Sequence, residues 1–201
     1  MYLQRHGESE SNVTRVFTCR RLDPSLTETG RRQIGRKIPF FRRSGVRQII
    51  TSPSRRAVQS AEILGEALGA GVTTDDALLE VDIGDLEGKE QRDPKCLRVF
   101  LETLRDWLEG GKNTRFPGGE SYEEVAARTQ RVVSLGAPST VLIGHATLFA
   151  VLMGKNGRQY GQVEDLFLPR AGTVRYAPEK NLWEIVKEAE PADSGGALPR
   201  A

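Results

Sequence analysis

Short apolar segments with the pattern of buried strands alternate along this chain with longer segments of helical periodicity. Strands are predicted at residues 2–4, 46–51, 72–74, 78–80 and 140–143, and helices at about 27–41, 52–68, 94–109, 121–135 and 146–153. Such an alternation is typical of an α/β sheet with helices on both faces. We therefore predict a three-layer sandwich with a mostly parallel central sheet. Two last strand segments, 172–176 and 182–186, joined by a turn at 178–181, predict an antiparallel strand at one edge.

The length of 201 residues suits one compact domain. We expect this domain to cover residues 1–188, with a helical insertion at about 93–135. Residues 189–201 are rich in Ala, Pro, Gly and Ser and are predicted to form a disordered tail. A polar segment without periodicity, 8–23, is predicted to be a loop, and Pro39 predicts an end or a kink in the helix that contains it.

Composition argues against several classes of protein. A formal net charge of +2 argues against a nucleic-acid partner recognised through bulk electrostatics. No apolar run reaches the ~20 residues that span a bilayer, and no signal-peptide pattern is present, so no membrane partner is expected. Cys19 and Cys96 have no metal-binding or disulfide spacing and are expected to be free thiols in a reducing compartment. These features predict a cytoplasmic location.

Both histidines of the chain, His6 and His145, lie at the end of an apolar strand segment. In an open parallel sheet, ligands bind outside the carboxyl ends of the strands, where two distant histidines can meet. A single histidine in this position is more often a strand cap that bonds a nearby carbonyl. Two histidines in the same context, the first of them preceded by Arg5, favour a site for a phosphoryl group.

The residues around His6 suit nucleophilic attack on phosphorus. A neutral imidazole can form a phosphohistidine, provided that a backbone carbonyl or another acceptor holds its second nitrogen. Arg5 offers a planar set of donors that fits phosphate oxygens, although a surface ion pair is the alternative. Gly7 would allow the backbone to approach the phosphate closely.

Two further segments carry candidate site residues. Residues 51–61 pass from a strand into a helix N-terminus, a position that favours anions. Arg55 and Arg56 compete for the place of an anion clamp there, because neighbours on a helix project about 100° apart and only one should point inward. In residues 79–88, a carboxyl group could protonate a leaving alkoxide. Glu80 is the first candidate, and the alternatives are Asp82, Asp85 and Glu87. His145 would bind a phosphate oxygen. No metal motif is present, so no metal or cofactor is expected.

In this order, these pieces resemble the histidine phosphatase superfamily, in particular its phosphoglycerate mutase-like phosphatase branch. The matching segments are Arg5-His6-Gly7-Glu8-Ser9 with Asn12, residues 23–30, 52–61, 80–88, 117–121, and Gly144-His145. The resemblance implies a metal-independent reaction on a mostly parallel sheet. It implies that His6 is the nucleophile and that Glu80 donates the proton to the leaving group. It also implies a set of residues that contact the phosphate: Arg5, Arg56, His145 as the second histidine, and Asn12.

The chain departs from the family pattern in three segments. In residues 18–23, Arg20 and Arg21 occupy a loop that usually borders the substrate, which predicts specificity for a second anionic group. After His145, Ala146 and Thr147 replace a common Gly-Gly pair, and the Ala146 amide could still bind substrate. Residues 154–170 match no diagnostic pattern.

The leading prediction is a phosphatase acting on a small phosphomonoester. The runner-up is a phosphoglycerate-type mutase, although such enzymes tend to be longer after the catalytic glutamate. A non-catalytic binding module on the same fold is a third possibility. The expected partner is a small phosphorylated substrate. The sequence does not decide the oligomeric state, and a homodimer is one alternative.

Overall fold

The computed structural model describes residues 1–134, 136–155, 167–177 and 182–186. The strands are β1 (Tyr2–Arg5), β2 (Gln48–Thr51), β3 (Gly71–Thr74), β4 (Thr140–Gly144), β5 (Thr173–Ala177) and β6 (Leu182–Ile185). The helices are α1 (Glu10–Thr14), α2 (Glu28–Gly35), α3 (Ile38–Arg43), α4 (Arg55–Leu68), α5 (Pro94–Leu108), α6 (Tyr122–Ser134) and α7 (Ala146–Lys155). Two 3-10 helices, Asp76–Leu78 and Gly84–Leu86, lie between β3 and α5.

The six strands form one sheet in the order β3-β2-β4-β1-β5-β6. The first four strands in this order pair in parallel, whereas β5 is antiparallel to both β1 and β6. The predicted α/β class with a mostly parallel sheet is therefore confirmed. The strand that runs against the others, β5, lies second from the edge, and β6 forms the edge itself.

Two apolar clusters cover the two faces of this sheet. On one face, Ile49, Val141 and Ile143 pack with residues of α2, α3 and α4. On the other face, the alternate strand residues Ile50 and Leu142 pack with α5, α6 and α7. Because successive side chains of a strand point to opposite faces and both faces are covered, β2 and β4 carry apolar residues in succession, at 49–50 and 141–143. This explains why they could be predicted from continuous apolar runs.

Two local predictions about this chain are wrong. Residues 78–80 do not form a strand, because the Asp75 side chain accepts the Ala77 amide at 2.8 Å and starts the 3-10 helix Asp76–Leu78. The segment 8–23 is not entirely a loop, since α1 begins in it with a capping box formed by Ser9 and Asn12. Both errors involve side chain to backbone hydrogen bonds, which leave no periodic pattern of apolar residues.

The helix predicted over residues 27–41 is divided into α2 and α3. Thr27 caps α2, and its hydroxyl accepts the Gly30 amide at 3.0 Å. Pro39 lies in the first turn of α3, where its missing N–H costs no helical hydrogen bond. The kink expected from Pro39 is thus a break between two short helices.

The parallel register brings three strand ends to one edge of the sheet. Arg5 of β1 lies opposite Gly144 of β4, and Thr51 of β2 lies opposite Ile143. The residues that follow these strands are connected to one another, since the His6 amide donates to the Gly144 carbonyl at 3.1 Å. This edge carries the candidate site.

The division of the chain into one domain with a helical insertion at 93–135 stays a prediction. The turn predicted at 178–181 and the tail predicted at 189–201 lie outside the described residues. Within the described ranges, no helix combines the length and the apolar character that crossing a bilayer requires.

Candidate active site

The two histidines lie side by side, buried beneath the carboxyl edge of the sheet. Their exposed fractions are 4% for His6 and 0% for His145, and their ring centroids are 5.2 Å apart. Nδ1 of His6 is 2.6 Å from the Gly7 carbonyl oxygen. Because a carbonyl can only accept, Nδ1 carries the proton and Nε2 keeps its lone pair when the ring is neutral.

Both imidazoles are held in the neutral form. Burial is the main cause that lowers the pKa of His6 well below 6.5, and the charges of Arg56 and Arg5 lower it further. Burial and the charge of Arg56 lower the pKa of His145 in the same direction. At neutral pH, His6 therefore presents an unprotonated nitrogen, as a nucleophile requires.

Two arginines lie beside these histidines with donors that face the site. Arg56 is 2% exposed whereas Arg55 is exposed, so only Arg56 points inward, as the helical spacing requires of one of the pair. Nη1 of Arg56 and Nε of Arg5 are buried without a hydrogen-bond partner among the described residues. Burial lowers the pKa of Arg5 to about 10 and also lowers that of Arg56, yet both stay charged at neutral pH. A buried cation with an unused donor fits an anionic ligand.

His145 is oriented by a hydrogen bond at each ring nitrogen. Nη2 of Arg56 donates to Nδ1 at 3.2 Å, and Nε2 lies 2.8 Å from the Ser52 hydroxyl. Because a guanidinium can only donate, Nε2 carries the proton and donates to Ser52. Ser52 is not among the predicted site residues, although it lies directly after β2, in the same kind of position as His6 after β1.

Glu80 is buried against the N-terminus of α7. Its carboxylate accepts the amides of Val81 and Leu148, both at 2.9 Å, and that of Thr147 at 3.2 Å. Its charge acts on both Arg5 and Arg56, which places it at the same site. Ala146, whose amide was a candidate for substrate binding, is the first residue of α7 and is buried.

The three alternative acids have other contacts. Asp82 accepts the Gly84 amide at 2.9 Å, Asp85 is exposed, and Glu87 bonds the loop at 18–22. Among these four carboxylates, Glu80 alone has described bonds to α7, the helix that follows His145.

Two residues expected at the phosphate have structural contacts as well. A Cβ on Gly7 would lie 2.9 Å from the carbonyl carbon of Gly30, so the absence of a side chain serves the packing of α2. Its amide donates to the Ser60 hydroxyl at 3.3 Å. Oδ1 of Asn12 accepts the Ser9 amide at 3.0 Å in the α1 capping box. A phosphate contact for either residue stays a prediction.

Arg20 and Arg21 are both engaged by acceptors of the protein. Arg20 donates to the Glu80 carbonyl at 3.1 Å and pairs with Glu120 at 2.8 Å. Arg21 pairs with Glu87 at 3.3 Å and donates to the Gly84 carbonyl at 2.6 Å. Binding of a second anionic group by this pair stays a prediction, and it would compete with these contacts.

A turn at 168–172, most of which precedes the strand predicted from residue 172, supports the segment around His6. The Leu168 carbonyl accepts Nη1 of Arg5 at 2.5 Å, and Arg170 pairs with Glu8 at 2.9 Å. The Ala171 amide donates to the His6 carbonyl at 3.1 Å from a left-handed conformation with φ of 54°. No local pattern could reveal these contacts, because the two segments are more than 160 residues apart.

The site can bind and polarise an oxyanion. Within the part of the chain that the structure describes, no group of three or more His, Cys, Asp and Glu side chains is placed to hold a metal ion. The guanidinium groups of Arg5 and Arg56 bring positive charge next to the neutral imidazole of His6 and the carboxylate of Glu80. This combination suits transfer of a phosphoryl group.

Comparison with known proteins leads to the same chemistry. A family model described as the histidine phosphatase superfamily (branch 1) matches residues 1–190. A bifunctional protein of Mycobacterium tuberculosis is 32% identical over 164 residues, which cover 76% of this chain and 43% of that protein. The chain thus spans less than half the length of this relative. A probable phosphoglycerate mutase of Proteus mirabilis is 35% identical over 159 residues, covering 76% of this chain and 72% of that protein.

A solved structure shares the fold. A mycobacterial glucosyl-3-phosphoglycerate phosphatase, complexed with VO3, superimposes with a TM-score of 0.71 over 94% of this chain and 97% of that chain. The two sequences are 24% identical, so the likeness concerns the arrangement of the elements. The resemblance indicated by the sequence motifs is confirmed by these matches.

Proposed function

We propose that this chain, which belongs to the histidine phosphatase superfamily, hydrolyses a small phosphomonoester by way of a phosphohistidine on His6. The observation that carries the proposal is the state of His6. Its ring is neutral, Nδ1 is held by the Gly7 carbonyl, and two buried guanidinium groups with unused donors lie close enough to lower its pKa.

The reaction proceeds in two displacements. In the first, Nε2 of His6 attacks phosphorus, the bond from phosphorus to the alcohol oxygen breaks, and the Glu80 carboxyl group gives its proton to that oxygen. In the second, water attacks the phosphohistidine, Glu80 takes a proton from the water, and the N–P bond breaks. The products are the alcohol and inorganic phosphate, and His6 is regenerated.

Arg5 and Arg56 stabilise the charge on the phosphoryl oxygens during both displacements. His145 contributes to the same role when its Nε2 proton exchanges the Ser52 hydroxyl for a phosphoryl oxygen. The unused donors Nε of Arg5 and Nη1 of Arg56 are available for this role. Since these cations supply the positive charge, the proposed reaction needs no metal ion.

The second candidate is a phosphoglycerate-type mutase. The name of the Proteus mirabilis relative supports it. The two reactions share the phosphohistidine and differ in the acceptor, which is water for a phosphatase and a second hydroxyl group for a mutase. Incubation with 3-phosphoglycerate separates them, because a phosphatase releases inorganic phosphate and a mutase forms 2-phosphoglycerate.

The test of the proposal is hydrolysis of p-nitrophenyl phosphate in the presence of EDTA. We expect turnover by the wild type, none by His6→Ala, and a loss of about 10²–10³-fold in Arg56→Ala. Arg55→Ala is the matched control, since the neighbouring guanidinium is exposed, and its rate should stay within about twofold of wild type.

Equal rates for wild type and His6→Ala would contradict the phosphohistidine and favour a phospho-ligand binding module with a contaminating activity. Loss of turnover with EDTA, restored by added divalent cations, would contradict the metal-independent reaction. A cytoplasmic location is part of the same proposal, supported by the two free thiols.

A further inference from the structure

We propose that Glu87 is a positioning residue, which folds the loop at residues 18–22 so that this loop aims Arg56 at the phosphate and holds the backbone at Glu80. This inference rests on the proposed function, because that function makes Arg56 a phosphate-binding residue. The contacts of Glu87 described below do not depend on the proposed function. Glu87 lies seven residues after Glu80 and is buried, with 1% of its side chain exposed.

The Glu87 carboxylate gathers donors from one short loop. Oε1 accepts the backbone amides of Cys19, Arg21 and Leu22, each at 2.9 Å. Oε2 accepts the Cys19 thiol at 2.9 Å and Nε of Arg21 at 3.3 Å. A single buried carboxylate therefore takes the place of the strand or helix partners that a regular segment would have.

The charges in this contact are stable over the working range of pH. Burial would raise the pKa of Glu87, but the bonds from the Cys19 thiol and the three amides outweigh it and lower this pKa to about 2. Burial and the bond to Glu87 raise the pKa of the Cys19 thiol to about 12. At neutral pH, Glu87 is thus ionised, and Cys19 is a thiol that can donate.

The loop at residues 18–22 contacts two residues of the candidate site, Arg56 and Glu80. The Cys19 carbonyl accepts Nη2 of Arg56 at 3.3 Å, which leaves Nη1 as the buried donor without a partner. The Arg20 side chain donates to the Glu80 carbonyl at 3.1 Å. Because the amide of Cys19 is bonded to Glu87 and its carbonyl is bonded to Arg56, any movement of Glu87 is passed on to the guanidinium.

The Glu80 backbone has a second support that limits what Glu87 does there. Arg128 donates to the carbonyls of Leu79, at 2.8 Å, and Glu80, at 3.2 Å, and it pairs with Glu120 at 3.0 Å. With Arg128 in place, loss of Arg20 should disturb Glu80 little. Arg56 is also bonded to Nδ1 of His145 at 3.2 Å, but the Cys19 carbonyl is the contact that the loop gives to its guanidinium. The main effect of Glu87 should therefore fall on anion binding.

The experiment measures the binding of inorganic phosphate by calorimetry at pH 7.5, which needs an intact anion site but no turnover. We expect Glu87→Gln to weaken phosphate binding by about tenfold to a hundredfold, the range typical of residues that orient a ligand-binding group. The control is Glu90→Gln, since Glu90 is exposed and lies three residues after Glu87. This variant should bind phosphate as tightly as the wild type.

A double-mutant cycle with Arg56→Lys distinguishes positioning from a general loss of stability. If Glu87 acts through Arg56, the double variant should bind phosphate no more weakly than the weaker single variant. If the two losses multiply, the inference is overturned, because Glu87 then acts independently of Arg56. Glu87→Asp, which keeps the charge but is one methylene shorter, serves where Glu87→Gln does not fold, and the same result is expected.

Thiol labelling reports on the loop itself. In a Cys96→Ser background, Cys19 should resist a thiol reagent in the wild-type loop and react at least about tenfold faster after Glu87→Gln. Unchanged phosphate binding in a variant whose Cys19 is exposed would overturn the inference and leave the proposed function intact. A wild type that does not bind phosphate would overturn both.

Discussion

Substitution of Gly30 by Ala should lower both the stability and the activity of the protein. This is the opposite of the gain in stability that replacing Gly by Ala in a helix usually gives. Gly30 lies in the first turn of α2, where a Cβ would be 2.8 Å from the Glu8 amide nitrogen and 2.9 Å from its carbonyl carbon, and closer still to its carbonyl oxygen. Ordinary contacts begin near 3.4 Å, so α2 and the backbone of Glu8 must separate by at least about 0.6 Å. Glu8 is two residues after His6, which will move with it.

The expected magnitude follows from two opposing effects. Replacing Gly by Ala inside a helix stabilises by about 0.5–1 kcal/mol, whereas overpacking costs about 1–3 kcal/mol. We expect a net loss of about 1–2 kcal/mol in the free energy of unfolding. Because a displacement of about 1 Å at a reacting group can cost 10²-fold, kcat/KM should fall by about tenfold or more.

The assay is urea denaturation together with hydrolysis of p-nitrophenyl phosphate. Gly35→Ala is the matched control, since Gly35 ends the same helix and a Cβ there has no atom within 4 Å. This variant should be as stable as wild type or gain about 0.5–1 kcal/mol, with unchanged kcat/KM. If Gly30→Ala were as stable and as active as Gly35→Ala, the close packing of α2 against the segment that carries His6 would be refuted.

Three further predictions concern the histidines and their partners. The free energy of unfolding should decrease as pH falls from 6.5 to 5, by up to about 1.4 kcal/mol per pH unit for each of His6 and His145. The unfolded chain takes up these protons below pH 6.5 while the lowered pKa values keep the folded histidines neutral, so a flat urea-denaturation profile would contradict the burial of both rings. Glu80→Gln should lower kcat by about 10²–10⁴-fold on alkyl phosphates and much less on p-nitrophenyl phosphate, whose leaving group needs little protonation; equal losses would argue against a proton donor. Ser52→Ala should reduce stability by about 1–3 kcal/mol, because the buried N–H of His145 loses its acceptor, and an unchanged urea midpoint would show that this bond contributes little.

Much of the fold could be predicted from local pattern. The central strands are buried on both faces and therefore read as continuous apolar runs, and α4 shows helical spacing along its sequence. The errors at 78–80 and 8–23 arise where a side chain caps the backbone. There the local conformation depends on one bond, at Asp75, or on the two bonds of a capping box, at Ser9 and Asn12, and a periodicity cannot express either.

The candidate site could be predicted in part for the same reason. His6 and His145 follow apolar strands, and any parallel arrangement of those strands brings their ends to one edge. For Arg55 and Arg56, spacing shows that only one can point inward, and the packing of α4 makes it Arg56. Of the four acids in residues 80–87, the sequence favoured Glu80 because it ends an apolar segment, whereas its contacts with α7 depend on the tertiary structure.

The sequence by itself therefore determined the alternation of strands and helices and the chemical groups that stand at the strand ends. Only the tertiary structure decided which partners those groups have. Glu80 contacts the start of α7, Glu87 folds the loop at 18–22, and Leu168 accepts a bond from Arg5. Local periodicity depends on neighbours within a few residues, whereas these contacts join segments far apart in the chain. They exist only once the whole sheet and both layers of helices have assembled.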